Sequence, residues 1–355
     1  MPDTKNLQNT RTNTLNNKSE SPHHTLAQQL KAAADPLRLD ILRVMASGSF
    51  GVLELCRLFK TKQSGMSHHL KVLTNAGWIT SRREGNSIFY RRAHLNPESP
   101  QSTLQQQLFH TLDAQPLDTI IALGIATIQM QRSALSQQFF SDNANKFREQ
   151  QDLIARYPVY AEQVLELLES APLATASNQP SRVLEIGPGE GECLLSLATR
   201  FDQVTALDNS EAMLDKAKKT AQHLTNIEFI HADSATLISR GKTSEIKTAE
   251  QNTQYHAIVV NMVLHHTPNP REIFADASAL LQSDGVLLIT DLCRHDQSWV
   301  IEACGDLWQG FDPEDFSLWA SENGLREGQA IYFALRNGFQ IQVRQFFKSR
   351  TKTEY

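Results

Sequence analysis

The stretch that decides the fold is VLEIGPGEG, residues 183–191. Its first four residues form a short apolar run broken only by Glu185, which predicts a buried strand of a parallel sheet. Gly187, Gly189 and Gly191 follow at every second position, and such a turn lets backbone approach a ligand because no Cβ stands in the way. The next residues have helical character, so their free N–H groups point at whatever lies over the turn. The stretch therefore predicts a strand, a turn and a helix that face a ligand.

Polar residues follow further predicted strands. Four more apolar segments predict these strands, at residues 203–207, 227–231, 257–260 and 285–291. Asp208 follows the first segment, where a carboxylate can accept both hydroxyl hydrogens of a ribose. Asp233 follows the second, where a carboxylate can accept a hydrogen from an adenine amino group. The glycine pattern departs from the dinucleotide fingerprint G-x-G-x-x-G/A, because Glu192 stands where that pattern needs a small residue.

The segment from Arg182 to Lys348 resembles the class I S-adenosylmethionine-dependent methyltransferases, because its three ligand positions fall on three strand ends in the same order. The resemblance implies a Rossmann-like, seven-stranded sheet that binds S-adenosylmethionine or S-adenosylhomocysteine. It implies that the nucleoside is bound by Glu185, Gly187, Gly189, Gly191, Asp208, Asn209, Asp233, Ser234 and Asn261. The alternative is a Rossmann-like domain with a degenerate pocket.

Candidate catalytic residues end or follow the predicted strands at residues 257–260 and 285–291. Methyl transfer from a sulfonium is an in-line displacement that mainly requires positioning, with a base only where the acceptor holds a proton. His265 and His266 follow the strand at 257–260, and Asp291, His295 and Trp299 end or follow the strand at 285–291, so all five can line the acceptor side. His265, Asp291 and His295 are the candidates for catalysis. His295 is the preferred proton acceptor. The alternative is that the histidines are hydrogen-bonded structural residues.

Residues 62–77 predict a helix with one apolar and one polar face. Met66, Leu70 and Leu73 form the apolar stripe. The opposite face presents Gln63, Ser64, Ser67, His68 and Lys71. Short donors and acceptors on such a helix suit base edges in the major groove of DNA.

A two-stranded hairpin is predicted at residues 78–91, with Arg82 and Arg83 placed to lie along phosphates. Together with the motifs ADPLR at 34–38 and SHHL at 67–70, it resembles the ArsR/SmtB family of winged-helix repressors. The resemblance implies a homodimer bound to a palindromic operator in double-stranded DNA. Metal-sensing members carry Cys-x-Cys in the third helix, where this chain has a single thiol, so no metal site is expected.

The charge is unevenly distributed. Residues 1–100 hold 14 Lys and Arg against 7 Asp and Glu, a net charge of +7, and the remainder carries −12. A basic part joined to an acidic part indicates a polyanionic partner for the first alone. No apolar run is long enough for a membrane span, and the four cysteines show no paired spacing. These features favour the bacterial cytoplasm, with the nucleoid as the location when DNA is bound.

The predicted fold class is α/β, with an all-α/winged-helix N-terminal domain and a Rossmann-like methyltransferase sheet after it. The expected divisions are a disordered tail at 1–24, a winged helix at 25–96, a helical dimerisation or linker region at 97–180 and the nucleoside-binding domain at 181–350. Two functions stay open. The favoured one is a transcriptional regulator that responds to an S-adenosyl nucleoside, and the other is an active small-molecule methyltransferase carrying a regulatory winged helix.

Overall fold

The computed structural model of the protein describes residues 22–95, 98–143, 145–173, 180–243 and 254–349. The predicted disordered tail lies outside these ranges except for residues 22–24, which the structure places in the first helix rather than in a tail. Within the described ranges, no helix combines the length and the apolar character needed to cross a bilayer.

Helices and a small antiparallel sheet form residues 22–95. The helices are α1 (Pro22–Ala33), α2 (Pro36–Val44), α3 (Val52–Phe59) and α4 (Gln63–Asn75), and the strands are β1 (Phe50–Gly51), β2 (Ile79–Glu84) and β3 (Ser87–Arg92) in the order β1-β3-β2. Helix α2 begins at Pro36, because Asp35 accepts the Arg38 N–H and proline is tolerated in the first turn. The hairpin β2–β3 is the wing of this domain.

Helix α4 has the two faces that its sequence predicts. Met66, Leu70 and Leu73 are fully buried, and Trp78 completes the same core. The predicted polar residues Gln63, Ser64, Ser67, His68 and Lys71 are all exposed. The helix therefore holds to the domain through one stripe and leaves the other face free.

A helical region connects the two sheets. It consists of α5 (Ser102–Asp113), α6 (Thr119–Asn143), α7 (Phe147–Ile154) and α8 (Tyr157–Glu169). Ile125 and Ile128 of α6 are buried in the core of the first domain. Ile120, Leu123 and Leu135 on the same helix are each more than 60% exposed. Helix α6 thus packs on the first domain and still presents uncovered apolar side chains.

The second domain contains the larger sheet. Its strands are β4 (Arg182–Ile186), β5 (Gln203–Asp208), β6 (Ile227–His231), β7 (Tyr255–Asn261), β8 (Leu281–Leu292), β9 (Leu325–Ala334) and β10 (Gln340–Lys348). Its helices are α9 (Glu192–Ala198), α10 (Glu211–Thr220), α11 (Ser234–Thr243), α12 (Pro270–Leu280), α13 (Trp299–Cys304) and α14 (Pro313–Glu322). Within the described residues the sheet has seven strands, which confirms the predicted fold class.

The strand order of this sheet is β6-β5-β4-β7-β8-β10-β9. Strands β4 to β8 pair in parallel, and β10 runs antiparallel between β8 and β9. Apolar cores cover both faces, in line with the nearly continuous apolar sequences of the central strands. The order reverses beside β4, so the carboxyl ends of β4, β5 and β7 meet at the edge where such sheets bind ligands.

Gly191 allows α9 to start close to α10. Its φ is +85°, and an added Cβ would lie 3.0 Å from the backbone Cα of Ala217. We expect Gly191→Ala to lower the free energy of unfolding by about 3 kcal/mol, since strain at positive φ adds to overpacking. Gly324→Ala is the matched control, because Gly324 has a φ of +68° and open space, so about 1 kcal/mol is expected there. Equal losses in urea denaturation would contradict the steric argument.

Candidate functional site

A cavity of about 430 Å³ lies over the carboxyl ends of β4, β5 and β7. Its wall includes most of the predicted nucleoside-binding residues: Glu185, Gly187, Gly189, Asp208, Asn209, Asp233, Ser234 and Asn261. Gly191 is not on the wall, because it packs against α10 instead. The topology therefore brings together residues that are up to 76 positions apart in the sequence.

The floor of the cavity is formed by the glycine turn. Gly187 has a φ of +68°, and an added Cβ would lie 2.6 Å from a methyl group of Val263. Its N–H donates to the Leu207 carbonyl at 2.8 Å, which fixes the turn against β5. Glycine at this position therefore allows the turn to lie against the loop that follows β7.

Two side chains of the wall have buried polar atoms without a hydrogen-bond partner among the described residues. Oε2 of Glu185 and both side-chain polar atoms of Asn261 are buried and make no hydrogen bond within the part of the chain that the structure describes. Burial raises the pKa of Glu185 to about 8, against the opposing effect of the nearby Cys193 and Asn261 side chains. Buried polar atoms are normally satisfied, so these are suited to a polar ligand such as an amino-acid ammonium and carboxylate.

Asp208 lies at the end of β5. Its Oδ1 accepts the Ser210 N–H at 2.8 Å. Burial raises the pKa of Asp208 to about 6, and the Ser210 N–H and His231 oppose that rise. The carboxylate is therefore ionised at neutral pH and can accept two hydroxyl hydrogens.

We expect the affinity for an S-adenosyl nucleoside to depend on pH through Asp208. Asp208 is half ionised at pH 6 and almost fully ionised at pH 7, so affinity falls below about pH 7 as protonation removes an acceptor; at about pH 5 it should be roughly tenfold weaker than near pH 7. His231 and Glu185 are the other titratable groups that interact with this carboxyl. Calorimetric titration at several pH values measures the effect. The residual binding of Asp208→Asn should be independent of pH, and a slope retained in that variant would assign the effect elsewhere.

Asp233 and Ser234, at the third predicted ligand position, already form hydrogen bonds within the protein. Oδ1 of Asp233 accepts the Thr236 N–H at 2.7 Å at the start of α11, and the side chain is exposed. Ser234 donates its hydroxyl hydrogen to Asp276 of α12 at 2.5 Å. Asp276 also lines the cavity. Asp276 was not predictable from the strand ends, because it comes from a helix.

The predicted catalytic residues do not line this cavity. His265 and Asp291 are fully buried, with Nδ1 of His265 2.7 Å from Oδ1 of Asp291. Burial lowers the pKa of His265, but the charges of Asp291 and Asp306 outweigh this effect and raise the pKa to about 9. Their position favours the structural alternative for this pair over a role in contact with substrate.

His295, the preferred proton acceptor, also lies away from the cavity wall. Its ring packs edge-on against Phe339, with centroids 4.8 Å apart, and its Nδ1 accepts the Gln297 N–H at 3.3 Å. Burial, together with the charges of His265 and Arg82, lowers its pKa to about 4. The prediction therefore needs correction, because the chain between β8 and α13 directs this ring toward the start of β10.

His266 is the histidine that the structure places on the wall. Its Nε2 lies 3.2 Å from Nε2 of Gln151, and its ring packs against Phe140. Burial lowers its pKa well below the usual value, and so does the neighbouring His265, so the ring is neutral. Gln151 and Phe140 come from the helical region, which supplies this side of the cavity together with Gln129, Met130, Ser133, Ser136, Tyr157 and Tyr160.

The wing of the first domain packs against the second domain. Arg82 donates to the Gly310 carbonyl and forms an ion pair with Glu84. Glu84 accepts the Gln309 N–H at 2.7 Å, and the Gln309 side chain accepts the Gly85 N–H at 2.9 Å. In this conformation Arg82 is therefore turned away from the surface where the sequence analysis places it, whereas Arg83 is exposed.

Acidic residues at the start of α14 also hold the wing. Arg91 forms ion pairs with Asp315, which is almost fully buried, and with Asp312 at 3.6 Å. Nε2 of His94 lies 2.9 Å from the same Asp315 carboxylate. Part of the negative charge of the second domain therefore forms ion pairs with the basic wing.

Arg132 of α6 joins three parts of the chain. Its guanidinium donates to both carboxylate oxygens of Glu54 in α3, at 3.0 and 2.6 Å. It also donates to the Ser49 carbonyl beside β1 and to the Pro268 carbonyl of the second domain. The two domains and the connecting helix are therefore linked by one side chain.

Comparison with protein families agrees with this two-part architecture. The sequence model described as the bacterial regulatory protein ArsR family matches residues 35–81, and a methyltransferase domain model matches residues 155–330. Among curated proteins, a ubiquinone biosynthesis O-methyltransferase of Coxiella burnetii is 25% identical over 176 residues, covering 45% of this chain and 70% of that protein. A tRNA 5-carboxymethoxyuridine methyltransferase of Escherichia coli is 31% identical over 118 residues, covering 32% and 41%.

Solved structures of methyltransferases also align with the chain. A Burkholderia thailandensis 1,6-didemethyltoxoflavin-N1-methyltransferase with bound S-adenosylhomocysteine aligns with a TM-score of 0.46 and 16% identity, over 66% of this chain and 93% of that one. The N-methyltransferase NodS of Bradyrhizobium japonicum aligns with a TM-score of 0.40 and 18% identity, over 58% and 100%.

Proposed function

Because the chain joins a helix-turn-helix domain of the bacterial ArsR family to a methyltransferase domain, we propose that it is a DNA-binding transcriptional regulator that responds to S-adenosylmethionine or S-adenosylhomocysteine. The observation that carries the proposal is the packing of the wing on the domain that contains the cavity. A ligand in that cavity can act on DNA binding only if the two domains are energetically coupled, and this contact supplies the coupling.

The docked wing has a reduced capacity for DNA. Arg82 and Arg91 are in ion pairs with Glu84, Asp312 and Asp315, so they cannot at the same time neutralise phosphates. The exposed face of α4 stays free to enter a major groove. We therefore assign lower DNA affinity to the docked arrangement and higher affinity to one in which the wing is released.

A continuous set of contacts leads from the cavity to the wing. His266 lines the cavity, and the carbonyl of the preceding His265 accepts the N–H groups of Leu307 and Trp308, at 2.8 and 3.1 Å. The Trp308 ring packs against Phe89 of the wing, with centroids 5.2 Å apart. A ligand that moves the His266 side of the wall would therefore shift the segment on which the wing rests.

The proposed DNA-bound species is a homodimer on a palindromic operator. Two α4 helices related by a two-fold axis match two half-sites. The exposed apolar residues Ile120, Leu123 and Leu135 of α6, with Leu26 and Leu30 of α1, offer surface for self-association. Binding to chromosomal DNA implies the bacterial cytoplasm as its location. Light scattering of the purified chain measures the mass, and a monomer at all concentrations would exclude this assembly.

The proposal is tested by titrating operator DNA, selected from random sequence, with the protein in the presence and absence of each nucleoside. Linkage requires that a ligand which changes DNA affinity binds the free and DNA-bound proteins with different affinity. A change in either direction supports the regulator. Equal DNA affinity in both conditions, at nucleoside concentrations that calorimetry shows to be saturating, rejects it.

Methyl transfer to a small molecule is the second candidate. It is favoured by the curated relatives, which are methyltransferases, and by the neutral His266 on the cavity wall. In that reaction the sulfonium–methyl bond breaks as the acceptor–methyl bond forms, and His266 is placed to take the proton that the acceptor loses. Release of S-adenosylhomocysteine with candidate phenol, amine and carboxylate acceptors tests it. Binding of the nucleoside without release leaves the regulatory role alone.

A further inference from the structure

We propose that His265, His266 and Asp306 form a binding site for a first-row divalent metal ion, with Zn²⁺ as the best fit. The three side chains are buried beside the cavity, and one candidate ligand atom from each lies within 4.8 Å of the other two. The site does not depend on the regulatory proposal, because it rests on the geometry of these side chains.

Three potential ligand atoms of the cluster are unused, whereas Nδ1 of His266 lies 3.4 Å from the Gly305 carbonyl oxygen. Both carboxylate oxygens of Asp306 and Nε2 of His265 are buried without a hydrogen bond from the described residues. Unsatisfied polar atoms at such depth are rare in folded proteins. Three of them converging on one point are best explained by a bound group that they coordinate.

The distances between the atoms approach those of a tetrahedral site. Oδ1 of Asp306 lies 3.7 Å from Nδ1 of His266 and 4.0 Å from Nε2 of His265. Ligand atoms bonded to zinc at about 2.1 Å are about 3.4 Å apart in a tetrahedron, so contraction of a few tenths of an ångström closes the site. Two imidazole nitrogens and a carboxylate oxygen form a donor set that suits zinc.

A second set of contacts orients His265 toward the site. Nδ1 of His265 donates to Oδ1 of Asp291 at 2.7 Å, so a metal that displaces the proton from Nε2 would bind on the side that faces Asp306. Asp291 is fixed in turn by the N–H groups of Leu264 and Leu292, at 2.9 and 2.8 Å. A carboxylate behind a histidine is the usual arrangement that fixes the tautomer of a metal ligand. In this proposal His265 and Asp291, which the sequence predicted to be catalytic, act instead as a metal ligand and as the carboxylate that orients it.

The environment of His266 is compatible with the same site. Its Nε2 faces the amide of Gln151 at 3.2 Å, and that amide can present either its oxygen or its nitrogen after a flip. With the oxygen turned inward, Gln151 accepts from Nε2–H, and Nδ1 exchanges its 3.4 Å contact with the Gly305 carbonyl oxygen for the metal. The site would then link the cavity wall to residues 305–311, the segment that supports the wing.

The test uses the full chain without an affinity tag, stripped with chelator, dialysed and then reloaded with Zn²⁺. We expect one zinc per chain by elemental analysis, and visible ligand-field bands of a four-coordinate ion when Co²⁺ is used instead. Asp306→Asn and His266→Gln should each weaken zinc binding by at least about 100-fold. His110→Gln, which removes an exposed histidine of α5, is the matched control and should bind as the wild type does.

A thermal scan distinguishes loss of the site from loss of the fold. Zinc should raise the melting temperature of the wild type and of His110→Gln by mass action, and leave the folded Asp306→Asn and His266→Gln variants unchanged. If the wild type retains no zinc, or if Asp306→Asn binds it equally well, the cluster is a buried ion-pair network only and the proposal is overturned.

Discussion

Asp208→Ala is expected to weaken binding of S-adenosylhomocysteine by at least about 100-fold. Hydrogen bonds to a charged group contribute about 1.5–3 kcal/mol each, and the carboxylate is placed to accept two from a ribose, so about 3 kcal/mol is lost. The carboxyl is half-buried on the cavity wall, so a bound ribose would displace the water that reaches it. Isothermal titration calorimetry of the purified chain measures the change directly.

The matched control for this variant is Asp215→Ala on α10. Asp215 is exposed and forms only a surface ion pair with Lys218 at 3.2 Å, so its replacement should leave nucleoside affinity unchanged. In the absence of ligand, Asp215→Ala should melt as the wild type does, and Asp208→Ala should remain folded with a loss of about 1 kcal/mol from its hydrogen bond to the Ser210 N–H. If Asp208→Ala binds the nucleoside within threefold of the wild type, the cavity does not hold an adenosine in the proposed orientation.

Asp315→Asn is expected to release the wing and increase DNA affinity in the absence of nucleoside. Asp315 is almost fully buried and faces both Arg91 and His94, so loss of its charge leaves a guanidinium without its main partner. Breaking a buried ion pair costs about 3–5 kcal/mol, and the remaining contact of Arg91 with Asp312 reduces the net effect to about 2 kcal/mol. An equilibrium shift of that size allows up to about 30-fold tighter DNA binding.

Asparagine keeps an oxygen that can accept the Asp312 N–H, so the start of α14 is retained. Glu314→Gln is the control for net charge, because it removes the same charge one residue away on an exposed position. Fluorescence anisotropy with labelled operator measures both affinities, and limited proteolysis at the wing measures its release. A released wing with unchanged DNA affinity would show that docking does not regulate binding.

Much of the fold was predictable because its signals are local. The apolar stripe Met66, Leu70, Leu73 identifies the buried face of α4 from spacing alone. The parallel strands appear as apolar runs, and the rule that ligands bind at their carboxyl ends places Asp208 and Asn261 on one cavity. The predicted strand boundaries were less accurate: the strand expected at 285–291 is β8, which begins at Leu281.

The rest depended on contacts between segments that are distant in sequence. The sequence could not distinguish His265 from His266, because a short 3-10 turn over Leu264–His266 decides which ring faces the cavity. The position of Arg82 likewise depends on Gly310, which is 228 residues away. Phe140 and Tyr157 precede the cofactor domain in the sequence and could be expected to cover its pocket, but the burial of Ile125 and Ile128 of helix α6 in the first domain depends on tertiary contacts.

The bridge made by Arg132 limits how far this architecture is modular. If the first domain were separated from α6, Glu54 would lose its ion pair with Arg132. The carbonyls of Ser49 and Pro268 would lose the hydrogen bonds that Arg132 donates to them. Grafting the first domain onto another ligand-binding domain would therefore require an arginine supplied in trans or a neutral residue at position 54. A change of ligand specificity is thus best made by altering the cavity within the intact chain rather than by exchanging whole domains.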